Sequence, residues 1–113
     1  MSVVVDCDKK PILRIKNALF GSLYERMTAI IDEESLILSK DLDRLIEVMY
    51  SVGYGIGCDI ANYIKTKKDF MQLAYIVKRG LEEEHKEYPF REDALELFTN
   101  FYTEILKYGE KLS

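Results

Sequence analysis

His85 is the only histidine in this chain of 113 residues, and it is the side chain best suited to move a proton near neutral pH. Arg79 precedes it with five residues between them, and Tyr88 follows it. An imidazole can take the proton of a hydroxyl nucleophile or return one to a leaving group. A guanidinium can stabilise the negative charge that builds up on a phosphate. If the chain is an enzyme, Arg79 and His85 are the residues that we expect to act together.

The spacing of Arg79 and His85 resembles the Arg-x(4–6)-His motif of the HEPN superfamily. The resemblance implies a small helical bundle that dimerises, so that two motifs meet at a cleft and cleave RNA without a metal. Arg79 and His85 would then be catalytic, and Tyr88 falls near the position at which some members carry a tyrosine. The motif of this chain also contains the acidic run Glu82-Glu83-Glu84, whose charges would repel RNA.

A second interpretation makes His85 a metal ligand together with Glu82. The spacing Glu82-x-x-His85 places both side chains on one face of a helix, and it resembles the pattern of ferritin-like di-iron proteins. One histidine per chain would require a site shared between two copies, with Glu25 or Glu47 as a further ligand. The simplest interpretation is a surface histidine at a helix C-terminus, where partial positive charge is favourable. On that interpretation we expect no metal and no cofactor.

Four stretches of apolar residues at helical spacing must position these side chains. Val3, Val4 and Val5 favour one short strand, for which the chain offers no evident partner. We therefore predict an all-α fold: a four-helix bundle that forms a single helical domain over residues 11–113, with residues 1–10 as an N-terminal arm or short strand. The predicted helix starts are Pro11, Ser39 or Asp41, Thr66 and Phe90, and Gly109 is the predicted C-terminal cap of the last helix.

Gly53, Gly57 and Ala61 lie four residues apart within the predicted second helix, so they would form one ridge of small residues. Glycine destabilises a helix by about 0.5–1 kcal/mol relative to alanine, which calls for a compensating contact. A ridge of this kind lets a second helix approach closely. With the Val3–Val5 arm and the tyrosines Tyr50, Tyr54 and Tyr75 beside the apolar stripe, it predicts a homodimer.

Composition excludes several classes of function. The net charge is −4, and no run of five Lys or Arg occurs, so the chain lacks the charge of a general DNA-binding protein. No apolar stretch reaches the length of a membrane span, and the first residues lack the pattern of a signal peptide. We therefore expect a cytoplasmic protein with no membrane association, in which Cys7 and Cys58 are reduced thiols.

These patterns indicate a protein that acts through interaction surfaces rather than through catalytic side chains. The leading hypothesis is a non-catalytic helical interaction or regulatory module that acts through a protein–protein surface, with a second copy of the chain or an unknown protein as its partner. The alternative is a HEPN-like ribonuclease that uses Arg79 and His85 at a dimer cleft, and only this alternative would involve RNA. A ligand- or metal-sensing bundle is the third hypothesis.

Overall fold

Residues 2–16 form a β-hairpin. The computed structural model describes residues 2–52, 57–82 and 90–112. Strand β1 (Ser2–Cys7) pairs antiparallel with β2 (Lys10–Lys16), with Val3 opposite Ile15 and Val5 opposite Leu13. All four of these side chains are buried, whereas Arg14 and Lys16 are exposed. The hairpin therefore turns one apolar face towards the core.

The prediction of an all-α four-helix bundle with only an N-terminal arm is wrong, because the fold is mixed α/β. Residues 11–16 were assigned to a helix from the spacing of Ile12, Ile15 and Leu19, but Leu13 and Ile15 alternate with polar residues and form a strand. Pro11 lies in β2, an edge strand, rather than in a first helical turn. Proline is tolerated there because an edge strand can do without one ladder hydrogen bond.

A third strand follows the second helix. Strand β3 (Cys58–Asp59) pairs parallel to β1, with Cys58 beside Val5, and the strand order is β2-β1-β3. The predicted second helix extended to Ile64, but the described helix α2 is Lys40–Val52, and residues 58–59 belong to a strand. A short 3-10 helix, Ile60–Asn62, follows β3.

The remaining helices are α1 (Asn17–Glu33), α3 (Lys67–Glu82) and α4 (Glu92–Lys111). Two predicted caps are confirmed: Ser39 Oγ accepts the amide proton of Leu42 at 3.1 Å, and Thr66 Oγ1 accepts that of Asp69 at 3.2 Å. Gly109 is not a cap, since it is buried inside α4 against α3.

One apolar core joins the sheet to all four helices. Its largest side chains include Phe20, Leu23, Phe70, Phe98 and Phe101. Helix α4 runs beside β2, and α3 packs between α1 and α4. None of the described helices is long and apolar enough to cross a lipid bilayer.

Candidate functional site

Arg79 holds the end of α1 against α3. Its Nε lies 2.9 Å from Glu34 Oε2, and its Nη1 lies 3.8 Å from Glu82 Oε1. The Tyr75 hydroxyl donates a hydrogen bond to the same Glu34 carboxylate. These hydrogen bonds, from Tyr75 first and then Arg79, lower the pKa of Glu34. Arg79 is therefore paired with two carboxylates, those of Glu34 and Glu82, whereas a ribonuclease would use its positive charge to stabilise the phosphate.

His85 and Tyr88 lie outside the described residues, so the catalytic arrangement of Arg79, His85 and Tyr88 stays a prediction. The helical bundle that the HEPN resemblance implies is not the fold of this chain. Within the described ranges, no three His, Cys, Asp or Glu residues lie close enough to hold a metal ion. The metal pair Glu82 and His85 also stays a prediction, and Glu82 is a partner of Arg79.

The predicted ridge of Gly53, Gly57 and Ala61 requires that all three residues lie in one helix, and the structure does not place Gly57 and Ala61 in one helix. Gly57 precedes β3 and Ala61 belongs to the 3-10 helix, while Gly53 lies outside the described residues. A Cβ added at Gly57 would meet no described atom within 4 Å, so this glycine makes no close helix contact there. The interface role of the three residues stays a prediction.

A concave surface lies between the first half of α1 and the end of α2. This α1–α2 groove has a volume of about 360 Å³, within the range of small-ligand sites. Met49 and Tyr50 line it from α2. The residues that line it from α1 are Asn17, Ala18, Phe20, Gly21, Tyr24 and Glu25.

The amphipathic pattern of α1 explains the shape of the groove. Phe20 points into the core and is buried, as is Met49 from α2, so these two side chains form an apolar floor. Ala18 and Gly21 follow on the exposed side, and neither has a side chain large enough to fill the space. A Cβ at Gly21 would meet no described atom within 4 Å. Among the described residues, glycine at position 21 leaves this side of the groove unfilled.

Two tyrosines form its aromatic wall. The ring centroids of Tyr24 and Tyr50 are 6.0 Å apart, with the planes tilted by 55°. Tyr24 donates a 2.7 Å hydrogen bond to the carbonyl of Ile46, which fixes its ring, while Tyr50 is 60% exposed. Burial raises the pKa of Tyr24, and the nearby Glu47 carboxylate raises it further. Tyr24 is therefore a neutral phenol at physiological pH.

The groove is electronegative. Glu25 lies at its rim, and Glu47 is close enough to act on Tyr24. Among the described residues that line the groove there is no Lys, Arg or His, and none is a Ser or Cys nucleophile. Carboxylates beside tyrosine rings attract cations, because each ring face carries partial negative charge. The described lining is suited to binding a positively charged group rather than to covalent catalysis.

The sequence analysis did not predict this groove, although it named three residues in or near it for other roles. It placed Tyr50 at an interface, and it named Glu25 and Glu47 only as further metal ligands. It missed Gly21, although a glycine within the predicted first helix is the same signal that drew attention to Gly53 and Gly57. The contact of Tyr24 with Tyr50 depends on how α1 crosses α2, which local spacing does not specify.

Comparisons with protein-family models, curated proteins and solved structures find no match to this chain.

Proposed function

We propose that this protein is a non-catalytic binding module whose α1–α2 groove receives a lysine or arginine side chain of a partner protein. The alkyl part of such a side chain would pack on Phe20 and Met49, and its charged end would lie near Tyr50 and Glu25. The cytoplasm is its proposed location.

The observation that carries the proposal is Gly21. A glycine inside a helix lowers stability by about 0.5–1 kcal/mol relative to alanine, and here no described neighbour requires its small size. The open space beside Gly21 is bordered by Tyr50, an exposed aromatic residue of the kind enriched in binding surfaces. A partner side chain that enters this space accounts for both residues.

A homodimer remains a separate prediction with reduced support. Val3 and Val5 pair with β2 of the same chain, so this strand does not need a second copy as its pairing partner. The acidic groove favours a basic partner segment over an apolar contact between copies.

The experiment compares two capped pentapeptides that bind weakly enough to be titrated by NMR. One has lysine at its centre and alanine elsewhere, and the other has norleucine, which keeps the alkyl chain without the charge. We expect the lysine peptide to bind about fivefold more tightly, since contacts of a cation with exposed rings contribute about 0.5–1 kcal/mol each.

Variants assign the affinity to the groove. Tyr50→Ala should remove most of the preference for lysine, Tyr50→Phe should keep it, and Glu25→Gln should weaken it. Glu96→Gln is the matched control, since it neutralises an exposed glutamate on α4 that does not line the groove. Equal affinity for the two peptides, or equal effects of Glu25→Gln and Glu96→Gln, would refute the proposal.

A further inference from the structure

Strand β2 lies at an edge of the sheet. It pairs with β1 on one side, and on its other side no described strand is hydrogen-bonded to it. Helix α4 runs beside it in the opposite direction: Lys10, at the start of β2, lies 3.5 Å from Glu104, and the end of β2 lies near the first turns of α4. Extended peptides can add as a further strand to the edge of a sheet.

A second groove lies where β2 meets the start of α4. This β2–α4 groove has a volume of about 300 Å³. Leu19 and Leu97 contribute apolar surface, and Leu97 is 43% exposed. Arg14, Ile15 and Lys16 of β2 line this groove, so a peptide paired with β2 could place a side chain in it.

The charge of this groove is opposite to that of the whole chain. Arg14, Lys16 and Arg91 line it, with Asp93 as the one acidic lining residue described. Asp93 lies 3.7 Å from Arg91, but both side chains are highly exposed, and such pairs contribute little. A local excess of two positive charges in a chain of net charge −4 marks this surface for an acidic partner.

We infer that the edge of β2 binds an acidic, extended segment of another protein, which adds as a strand and places its carboxylates against Arg14, Lys16 and Arg91. A second copy of this chain is the poorer occupant. The exposed side chains Arg14 and Lys16 sit at alternate positions of β2, so pairing two copies of β2 around Ile15 would bring like charges together. Like charges on directly opposed strand positions are destabilising.

The test uses the full chain labelled with nitrogen-15 and a capped octapeptide that alternates glutamate with valine. We expect chemical-shift changes in β2 and the first turns of α4. A peptide with lysine in place of glutamate should not bind. Two further peptides carry N-methyl groups on alternate backbone nitrogens, one along each edge. Only the peptide whose methylated edge faces away from β2 should bind, because strand addition uses the backbone N–H groups of one edge.

Charge reversal of Arg14 and Lys16 together (R14E with K16E) should weaken binding about tenfold, since each lost or reversed exposed pair contributes up to about 1 kcal/mol. The matched control reverses Lys67 and Lys68 (K67E with K68E), an exposed pair at the start of α3. Arg91→Glu lies outside the strand, is 87% exposed, and should weaken binding even if the changes in β2 impair folding.

Three results would overturn the inference. In the first, both N-methylated peptides bind like the parent peptide, which would indicate attraction of charge without strand addition. In the second, the shift changes lie outside β2 and α4. In the third, β2 resonances change with protein concentration alone, which would make a second copy the occupant. The lysine pentapeptide used for the α1–α2 groove should not compete, so failure of one proposal leaves the other standing.

Discussion

At the scale of single residues, Asp59 explains how the hairpin closes. Its carboxylate accepts the amide protons of Asp8 at 2.9 Å and Lys9 at 2.8 Å, and that of Ala61 at 3.0 Å. Asp8 and Lys9 form the two-residue turn between β1 and β2, with φ values of 52° and 69°. Asparagine, aspartate or glycine normally takes the first of these positions and glycine the second, so Asp8 fits the turn and Lys9 does not. The turn is therefore poorly marked in the local sequence, because the residue that stabilises it lies fifty positions away.

The turn predicts the effect of Lys9→Gly. A left-handed conformation is strained for a residue with a Cβ, so we expect the glycine to raise the free energy of unfolding by about 0.5–1 kcal/mol. Urea denaturation measures this change. Lys9→Ala is the control, since it removes the side chain and keeps the strain. A gain in Lys9→Ala equal to that in Lys9→Gly would show that side-chain charge, not backbone conformation, limits the turn.

The two thiols predict a loss of stability at high pH. Burial raises the pKa of Cys7 and of Cys58 to about 11 from an ordinary value of 9.0. The folded state therefore disfavours the thiolate, so the stabilising contribution is complete below pH 9 and is lost as the pH rises towards 11. In the double variant Cys7→Ala with Cys58→Ala, the free energy of unfolding should fall less steeply across this window. Identical slopes in the two proteins would contradict the account.

At the scale of elements, the glycines show where helices approach closely. A Cβ at Gly109 would lie 2.5 Å from Met71 Cε and 2.7 Å from Phe70 Cβ, so this glycine lets α4 pack tightly on α3. Gly80 is the corresponding small residue between α3 and α1, where a Cβ would lie 3.4 Å from Leu23 Cδ1. The sequence analysis predicts a close helix contact at Gly53 and Gly57, whereas the close contacts in the structure are at Gly80 and Gly109. Helical spacing identifies small residues and cannot say which of them faces a neighbour.

The same substitution in two helices should have opposite effects. Gly21→Ala should raise the free energy of unfolding by about 0.5–1 kcal/mol, because the methyl group meets open space and alanine favours the helix. Gly109→Ala should lower it by about 1–3 kcal/mol, because Phe70 and Met71 must move. Thermal and urea unfolding both report the change. A destabilised Gly21→Ala would mean that the groove is closed in the free protein.

The starts of α2 and α3 could be predicted from local caps. Ser39 and Thr66 are caps whose hydrogen bonds reach only three residues along the chain, so a sequence pattern is sufficient to find them. The strand at residues 58–59 depends instead on its pairing with β1. That pairing removes residues 58–59 from a helix whose apolar spacing continues to Ile64, and its cause lies fifty residues earlier.

At the scale of the whole molecule, the apolar residues of the predicted helices are indeed the core, but the first and second helices were too long. The apolar residues of 2–16 fit both a period-two alternation and helical spacing. They form strands because β1, β2 and β3 stabilise one another. The result places two grooves of opposite charge on one small protein: the acidic α1–α2 groove and the basic β2–α4 groove. Neither could be predicted from sequence, because each combines residues from elements that meet only in the fold.

Mapping the lysine pentapeptide on the nitrogen-15 spectrum of the full chain shows whether the α1–α2 groove binds a basic side chain. We expect concentration-dependent chemical-shift changes at Gly21, Tyr24, Glu25 and Tyr50, with smaller changes for the norleucine peptide. Shifts confined to other surfaces, or equal shifts from the two peptides, would contradict the proposed binding.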